Sequence, residues 1–284
     1  MEEMEDKYGN LINLRKIFEA KAPKLLRHKW LFRRIQKLLH EEDINRILST
    51  YGDLQGVEFV QAVIKDFNLN VVVQGAENLT AVARPLVASN HPLGGLDGIA
   101  LIGTVGRYCP DPVTPVNDFL MFIKNLQPIF IPVNKAGKGV GDREENARLF
   151  NETFAGDRPI CYFPFGLCSR KTKGGKIEDL EWKKTFVAKA KEFHRDIIPT
   201  HIDGRNSRFF YNLARLRKWL KIKVNIEMAF LPNEFFKQRN KTLTITFGKP
   251  IPWQTFDSRL TDAQWAEQLR RYSYTLPTDK LFIL

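Results

Sequence analysis

Apolar residues recur at helical spacing through Leu14, Ile17, Phe18, Leu25, Leu31, Ile35, Leu38 and Leu39, so the chain opens with two amphipathic helices, the second started at Pro23. A further helix runs through Val57, Val60, Ile64 and Phe67. The period then changes. Short apolar, β-branched runs predict strands at 69–73, 85–89, 128–133, 159–163, 197–202, 224–230 and 242–247. Helical stretches at 98–105, 143–154, 181–193, 207–220 and 263–272 fall between them. Strands alternating with helices predict an α/β fold, with a largely parallel central sheet flanked by helices and an N-terminal basic amphipathic helical appendage. There are no internal repeats and no Gly/Ser/Pro-rich linker. The expected division is therefore an N-terminal helical region, residues 1–68, on one catalytic-sized domain, residues 69–284.

Composition narrows the class. With 284 residues, 43% hydrophobic and 27% charged, the chain lies well outside the disordered regime. The three cysteines, Cys109, Cys161 and Cys168, form no disulfide framework and no zinc-finger spacing, which suits a reducing compartment. The acidic opening Met1–Asp6 has no apolar core of a secretory signal, and no window approaches the roughly eighteen apolar residues of a membrane span. The expectation is an intracellular, cytoplasmic protein. Forty-four basic residues against 32 acidic ones give a net charge of +12, so an anionic partner surface is expected, either nucleic acid or lipid. The excess is concentrated in two places. Between Arg15 and Lys37 nine basic residues face only Glu19, with Trp30 and Phe32 among them. From Arg205 to Lys223 seven basic residues occur without an acid, interleaved with Phe209, Phe210, Tyr211 and Trp219. Both patterns suit a membrane surface. Both also suit ordinary helices with a solvated basic side.

The densest chemical signal is Ser89-Asn90-His91-Pro92-Leu93-Gly94-Gly95-Leu96-Asp97-Gly98, at a strand–turn–helix junction. A histidine at the carboxyl end of a strand lies where open α/β sheets place their ligands. Six positions on one continuous helix turn through about 240°, so spacing alone would separate His91 from Asp97. The Gly94-Gly95 turn could fold Asp97 back onto the ring. Asp97 would then orient His91 as a neutral base acting on a hydroxyl or amine. Standing alone, the same residues would read as a helix cap and a surface turn. A second box, Phe163-Pro164-Phe165-Gly166-Leu167-Cys168-Ser169-Arg170-Lys171, again ends a predicted strand and suits an anion-holding loop. The proline-punctuated segments 127–135 and 196–202 read individually as core.

Together and in this order, these segments resemble the boxes of the PlsC-like glycerolipid acyltransferase family, the lysophosphatidic-acid acyltransferase superfamily, over roughly residues 75–253. Asn90-His91 and Asp97 match the catalytic His and Asp. Phe163-Pro164 and Gly166 match the Phe-Pro-Glu-Gly box, Ile198-Pro199 the last box, and Gly248-Lys249-Pro250-Ile251 the closing strand and turn. The resemblance implies direct transfer of an acyl group from an acyl carrier protein or coenzyme A thioester to a lipid hydroxyl. His91 would be the base and Asp97 its orienter, with backbone amides near Gly166 as oxyanion donors. No metal or cofactor beyond the thioester co-substrate is implied. Residues 69–284 would form the acyltransferase domain, residues 1–68 would contribute to membrane association, and the protein would sit peripherally on the inner face of the cytoplasmic membrane.

Departures from the family pattern bear on the acceptor. The first box is one residue longer than His-x-x-x-x-Asp, Phe165 stands where phosphate-acceptor members have Glu, and Asn134, beside Lys135, stands where they have Arg. An apolar Phe165 removes a polar partner from the acceptor side and disfavours a glycerol-phosphate headgroup. The candidate substrate-binding set is Asn90, Asn134, Lys135, Phe165, Gly166, Ser169, Arg170 and Lys171, of which Ser169, Arg170 and Lys171 could still hold an anion. The longer turn and the run from Ile198 to Ser207 resemble the aminolipid O-acyltransferase and hemolysin-like branch, whose acceptor is an N-(3-hydroxyacyl) amino acid of glycine or ornithine lipid type. The alternative within the class is a 1-acyl-glycerol-3-phosphate acyltransferase making phosphatidic acid. Outside it stand a nucleic-acid-binding protein, for which no motif is present, and a non-catalytic membrane-surface protein. His201 and Asp203, on one face of a strand, are a possible second polar cluster.

Overall fold

The computed structural model of the chain describes residues 9–21, 23–133, 143–172 and 174–278. The N-terminal region folds as α1 (Leu14–Lys21), α2 (Lys29–Leu38), α3 (Glu41–Thr50) and α4 (Gly56–Asp66). Pro23 starts a 3₁₀ segment, Pro23–Arg27, rather than the second α-helix, which begins at Lys29. Next come β1 (Asn70–Gln74), β2 (Leu86–Ser89), α5 (Leu96–Tyr108), β3 (Thr114–Val116), β4 (Phe130–Pro132), α6 (Arg143–Ala155) and β5 (Ile160–Tyr162). The rest comprises β6 (Arg170–Lys171), β7 (Ile177–Glu178), α7 (Thr185–Glu192), β8 (Ile197–Asp203), α8 (Arg208–Trp219), α9 (Leu231–Phe236), β9 (Thr242–Phe247) and α10 (Asp262–Ser273). α10 starts at a capping box in which Thr261 and Gln264 each satisfy the other's backbone N–H.

Five strands form the central sheet in the order β1-β9-β8-β2-β5. Its pairings are parallel except between β8 and β9, so the sheet is largely parallel as the alternation predicts. Alternation along the strands divides the core. Val87, Ile198 and Ile245 face α4 and α5, whereas Leu86, Ala88 and Ile197 face Phe186 of α7 and Trp265 of α10. α3 and α4 lie within residues 1–68 and place Ile47, Leu48, Phe59 and Val60 in the same core cluster as the sheet. Their approach to α5 is close. A Cβ at Gly103 would come within 2.5 Å of Ile64 Cδ1, so glycine lets the two helices pack at this distance.

Two strand expectations are corrected. Residues 128–133 supply only β4, which pairs in parallel with β3 in a separate two-stranded sheet. Residues 224–230 form no strand. They make a turn and a 3₁₀ segment, Ile226–Phe230, that carries Glu227 into the interior. There Arg170 Nη2 lies 3.1 Å from Glu227 Oε1 and Arg217 Nε lies 2.9 Å from Oε2, and all three residues are buried. The need of two buried guanidinium groups for a counter-charge outweighs the strand-like pattern of the segment.

All three cysteines are buried and free. Burial pushes the thiols of Cys109 and Cys161 up, and that of Cys168 to about 11.

Candidate active site

Ser89 ends β2, an interior strand of the sheet between β8 and β5, and the next six residues lead into α5. Asn90 fixes the exit. Its carboxamide donates to the Ile202 carbonyl at 2.9 Å and accepts the Ile202 N–H at 2.7 Å, joining the ends of β2 and β8 beyond their last paired residues. Gly94 then adopts φ +77°, and a Cβ there would lie 2.9 Å from the Cys168 Cβ and 3.0 Å from Leu231 Cδ2. Glycine is required on both counts.

This turn brings Asp97 back to His91, whose Nδ1 lies 2.9 Å from Asp97 Oδ2. Asp97 is completely buried and is no helix cap, because it lies inside the first turn of α5. Its Oδ2 also accepts the N–H groups of Leu93 and Gly94, and its Oδ1 those of Gly95 and Gly98. Burial opposes ionisation of this carboxyl, but the neighbouring His91 and the backbone donors outweigh it and hold the group below its usual range. An ionised Asp97 requires a proton on Nδ1, which leaves Nε2 as the basic nitrogen of a neutral ring. The imidazole stacks on Phe163, with centroids 4.2 Å apart, which fixes its plane.

The second box packs directly beside this turn, with the Ser169 N–H donating to the His91 carbonyl at 2.8 Å. Phe165 is buried in the core cluster that also holds Ile131 and Trp182. Gly166 takes φ +65° and closes a turn in which its N–H donates to the Phe163 carbonyl at 3.0 Å. The Ser169 hydroxyl donates to Asp179, and Arg170 is drawn inward onto Glu227 and the Cys168 carbonyl. Lys171 alone of this box points to solvent. Asn134 and Lys135 lie outside the described residues. No hydrogen bond joins His201 to Asp203. Asp203 stays exposed, while His201 sets its ring edge-on to Tyr274 at 5.2 Å.

Asp179 is the residue that local sequence reading misses. It is buried and accepts from the Ser169 hydroxyl at 2.6 Å, the Trp182 indole at 2.8 Å and the His91 backbone N–H at 3.3 Å. Its own N–H donates to the Tyr274 hydroxyl at 2.7 Å. Burial raises its carboxyl above the usual range, against the pull of these donors. The only local signal is a carboxylate three residues before a tryptophan, which has no chemical meaning until the fold brings it under His91.

The arrangement provides an oriented imidazole at the carboxyl end of a central strand, backed by a buried carboxylate. It is suited to taking a proton from a hydroxyl. A family model described as acyltransferase matches residues 16–280, and the chain belongs to that family. The protein is therefore an acyltransferase. Two relatives, each named lyso-glycine lipid O-acyltransferase, come from Bacteroides thetaiotaomicron and Phocaeicola vulgatus. The first is 45% identical over 94% of this chain and 97% of its own length, and the second 43% identical over 94% and 95%. Among solved structures, the 1-acyl-sn-glycerophosphate (LPA) acyltransferase PlsC from Thermotoga maritima aligns with a TM-score of 0.43 and 16% identity, over 79% of this chain and 83% of that one.

Proposed function

We propose that this acyltransferase makes glycine lipid, moving a fatty acyl group from an acyl carrier protein or coenzyme A thioester to the 3-hydroxyl of an N-(3-hydroxyacyl)glycine. The observation that supports this acceptor is the near full-length identity of 45% to a lyso-glycine lipid O-acyltransferase. The dyad supports the chemistry. His91 Nε2 takes the hydroxyl proton as the oxygen attacks the thioester carbonyl, and Asp97 stabilises the imidazolium that forms. Collapse of the tetrahedral intermediate breaks the C–S bond, and the departing thiolate takes the proton from His91. The products are an ester and a free thiol. Phe165 stands where phosphate-acceptor members have Glu, which supports an acceptor that carries no glycerol phosphate.

The N-terminal region, residues 1–68, contributes to holding the enzyme on the inner face of the cytoplasmic membrane in this reading. Among the described residues, no helix is long and apolar enough to cross a membrane. The test is to incubate purified protein and lipid vesicles with an acyl-carrier-protein thioester and, separately, N-(3-hydroxyacyl)glycine, its ornithine counterpart and lysophosphatidic acid, and to identify products by mass spectrometry. Acyloxyacyl glycine is the expected product. Phosphatidic acid alone would overturn the acceptor assignment, and repeating the assay with acyl coenzyme A separates the donors.

A further inference from the structure

Lys218 to Val224 are seven consecutive exposed residues at the junction of α8 with the turn that follows. Apolar Trp219, Leu220, Ile222 and Val224 alternate there with Lys218, Lys221 and Lys223. Trp219 is 76% and Val224 71% exposed, and Phe209 and Leu216 on α8 are about half exposed. Burying large apolar side chains is ordinarily favourable, so this many left in water on one projecting tip point to a surface that covers them.

The charge of the tip identifies that surface. Between residues 204 and 233 the only carboxylate is Glu227, which is fully buried between Arg170 and Arg217. The exposed side of the helical hairpin formed by α8 and the 3₁₀ segment Ile226–Phe230 is therefore purely cationic as well as apolar, with Arg205, Arg208 and Arg215 adding to the lysines. Apolar side chains ringed by basic ones, with no acid, match the boundary between headgroups and acyl chains of an anionic bilayer.

The base of the hairpin grips the candidate catalytic turn. Before α8, Asn206 Nδ2 donates to the Leu93 carbonyl at 3.3 Å. After the 3₁₀ segment, Leu231 packs against Gly94. Glu227 ties the hairpin to the box that lies beside His91. The N-terminal region touches the helix that follows the hairpin, where His40, just after α2, stacks on Phe236 of α9 and lies 3.2 Å from the Asn233 side-chain oxygen.

We propose that the α8 hairpin tip, centred on Trp219, Leu220 and Val224, inserts into an anionic lipid surface and sets the height of the His91 turn above it. This rests on the membrane-surface part of the reading above, and its test needs no turnover. The full chain is titrated with vesicles of phosphatidylglycerol and phosphatidylcholine, some carrying brominated acyl chains, while tryptophan fluorescence is followed. Quenching by the brominated lipid is expected to be largely lost in Trp219→Phe and largely kept in Trp30→Phe. The combined Trp219→Ser, Leu220→Ser and Val224→Ser variant should melt as the wild type does and bind these vesicles at least about tenfold more weakly, a difference of about 1.4 kcal/mol. Unchanged vesicle binding in the combined variant overturns the proposal. So does a wild-type protein that ignores vesicles while the same three changes abolish self-association in sedimentation, because the tip then covers a second copy of the chain. Vesicle binding without acyloxyacyl product would instead fault the acceptor assignment and leave the insertion intact.

Discussion

Ser169 and Asp179 meet through a 2.6 Å hydrogen bond beneath the histidine, and the same carboxylate oxygen takes the backbone N–H of His91. Two segments separated by more than seventy residues of chain are thereby held to one acceptor. Asp179→Ala strands three donors, the buried ones of Ser169 and Trp182 and the half-buried N–H of His91. It is expected to cost about 3 kcal/mol of stability and to lower turnover as the His91 turn loosens. Urea denaturation and kinetics on the same preparation check this. Wild-type stability would show that the network contributes nothing.

Replacing either member of the dyad should have a different signature. His91→Ala removes the proposed base and one partner of Asp97, so turnover should fall by about 10² to 10⁴ with little change in melting. Asp97→Asn should be slow and also unstable. Both carboxylate oxygens accept backbone N–H groups, so whichever way an asparagine amide turns, its NH₂ faces donors. A loss of about 2 kcal/mol is expected for Asp97→Asn. An Asp97→Asn protein that is as stable as the wild type would contradict the observed hydrogen bonding.

Glu227→Gln leaves Arg170 and Arg217 buried without a counter-charge and should destabilise the fold by about 3–5 kcal/mol. Replacing all three by apolar residues of similar volume removes the charges together and is expected to cost far less. A thermal denaturation series comparing the single and triple variants decides whether the ion pairs or the packing fix the hairpin base.

His201 supplies a pH dependence. Burial lowers its pKa to about 4, with the Asp203 charge opposing, and its Nδ1 is buried without a hydrogen-bond partner. The unfolded chain therefore binds a proton that the folded chain refuses between about pH 6.5 and 4. Stability should fall as pH drops through that window, by about 3 kcal/mol from this group. Asp97 acts at lower pH, since its contribution is complete above the unfolded-state pKa and is lost progressively as pH falls from there through the depressed folded-state value. Melting curves for wild type and His201→Gln at neutral pH and near pH 4.5 should show a smaller acid-induced loss in the variant. Equal losses would assign the acid sensitivity to other groups.

Much of the architecture was readable because β2, β5, β8 and β9 are apolar runs bounded by polar or proline residues and separated by helical periods. The dyad was readable because two glycines mark the one place where six residues of separation can close. What escaped depended on distant partners. Asp179 reaches His91 only once the β6–β7 turn is folded, and nothing local distinguishes it from a solvated acid. The segment 224–230 carries a strand-like pattern, but Glu227 answers to two arginines elsewhere in the chain. β3 is only three residues long, with a proline at its centre, below what periodicity detects. α3 was hidden by the charged residues of its first turn, and only Ile47 and Leu48 after them enter the core.

The burial of all three thiols has a practical consequence. With Cys109, Cys161 and Cys168 in the interior and held in their protonated form, the native chain offers alkylating reagents no ready target. A single cysteine introduced on the surface would thus be the preferred site for a spin or fluorescent label without stripping the native ones. The depth of any chosen position relative to a lipid headgroup plane could then be read one residue at a time in an otherwise unaltered enzyme.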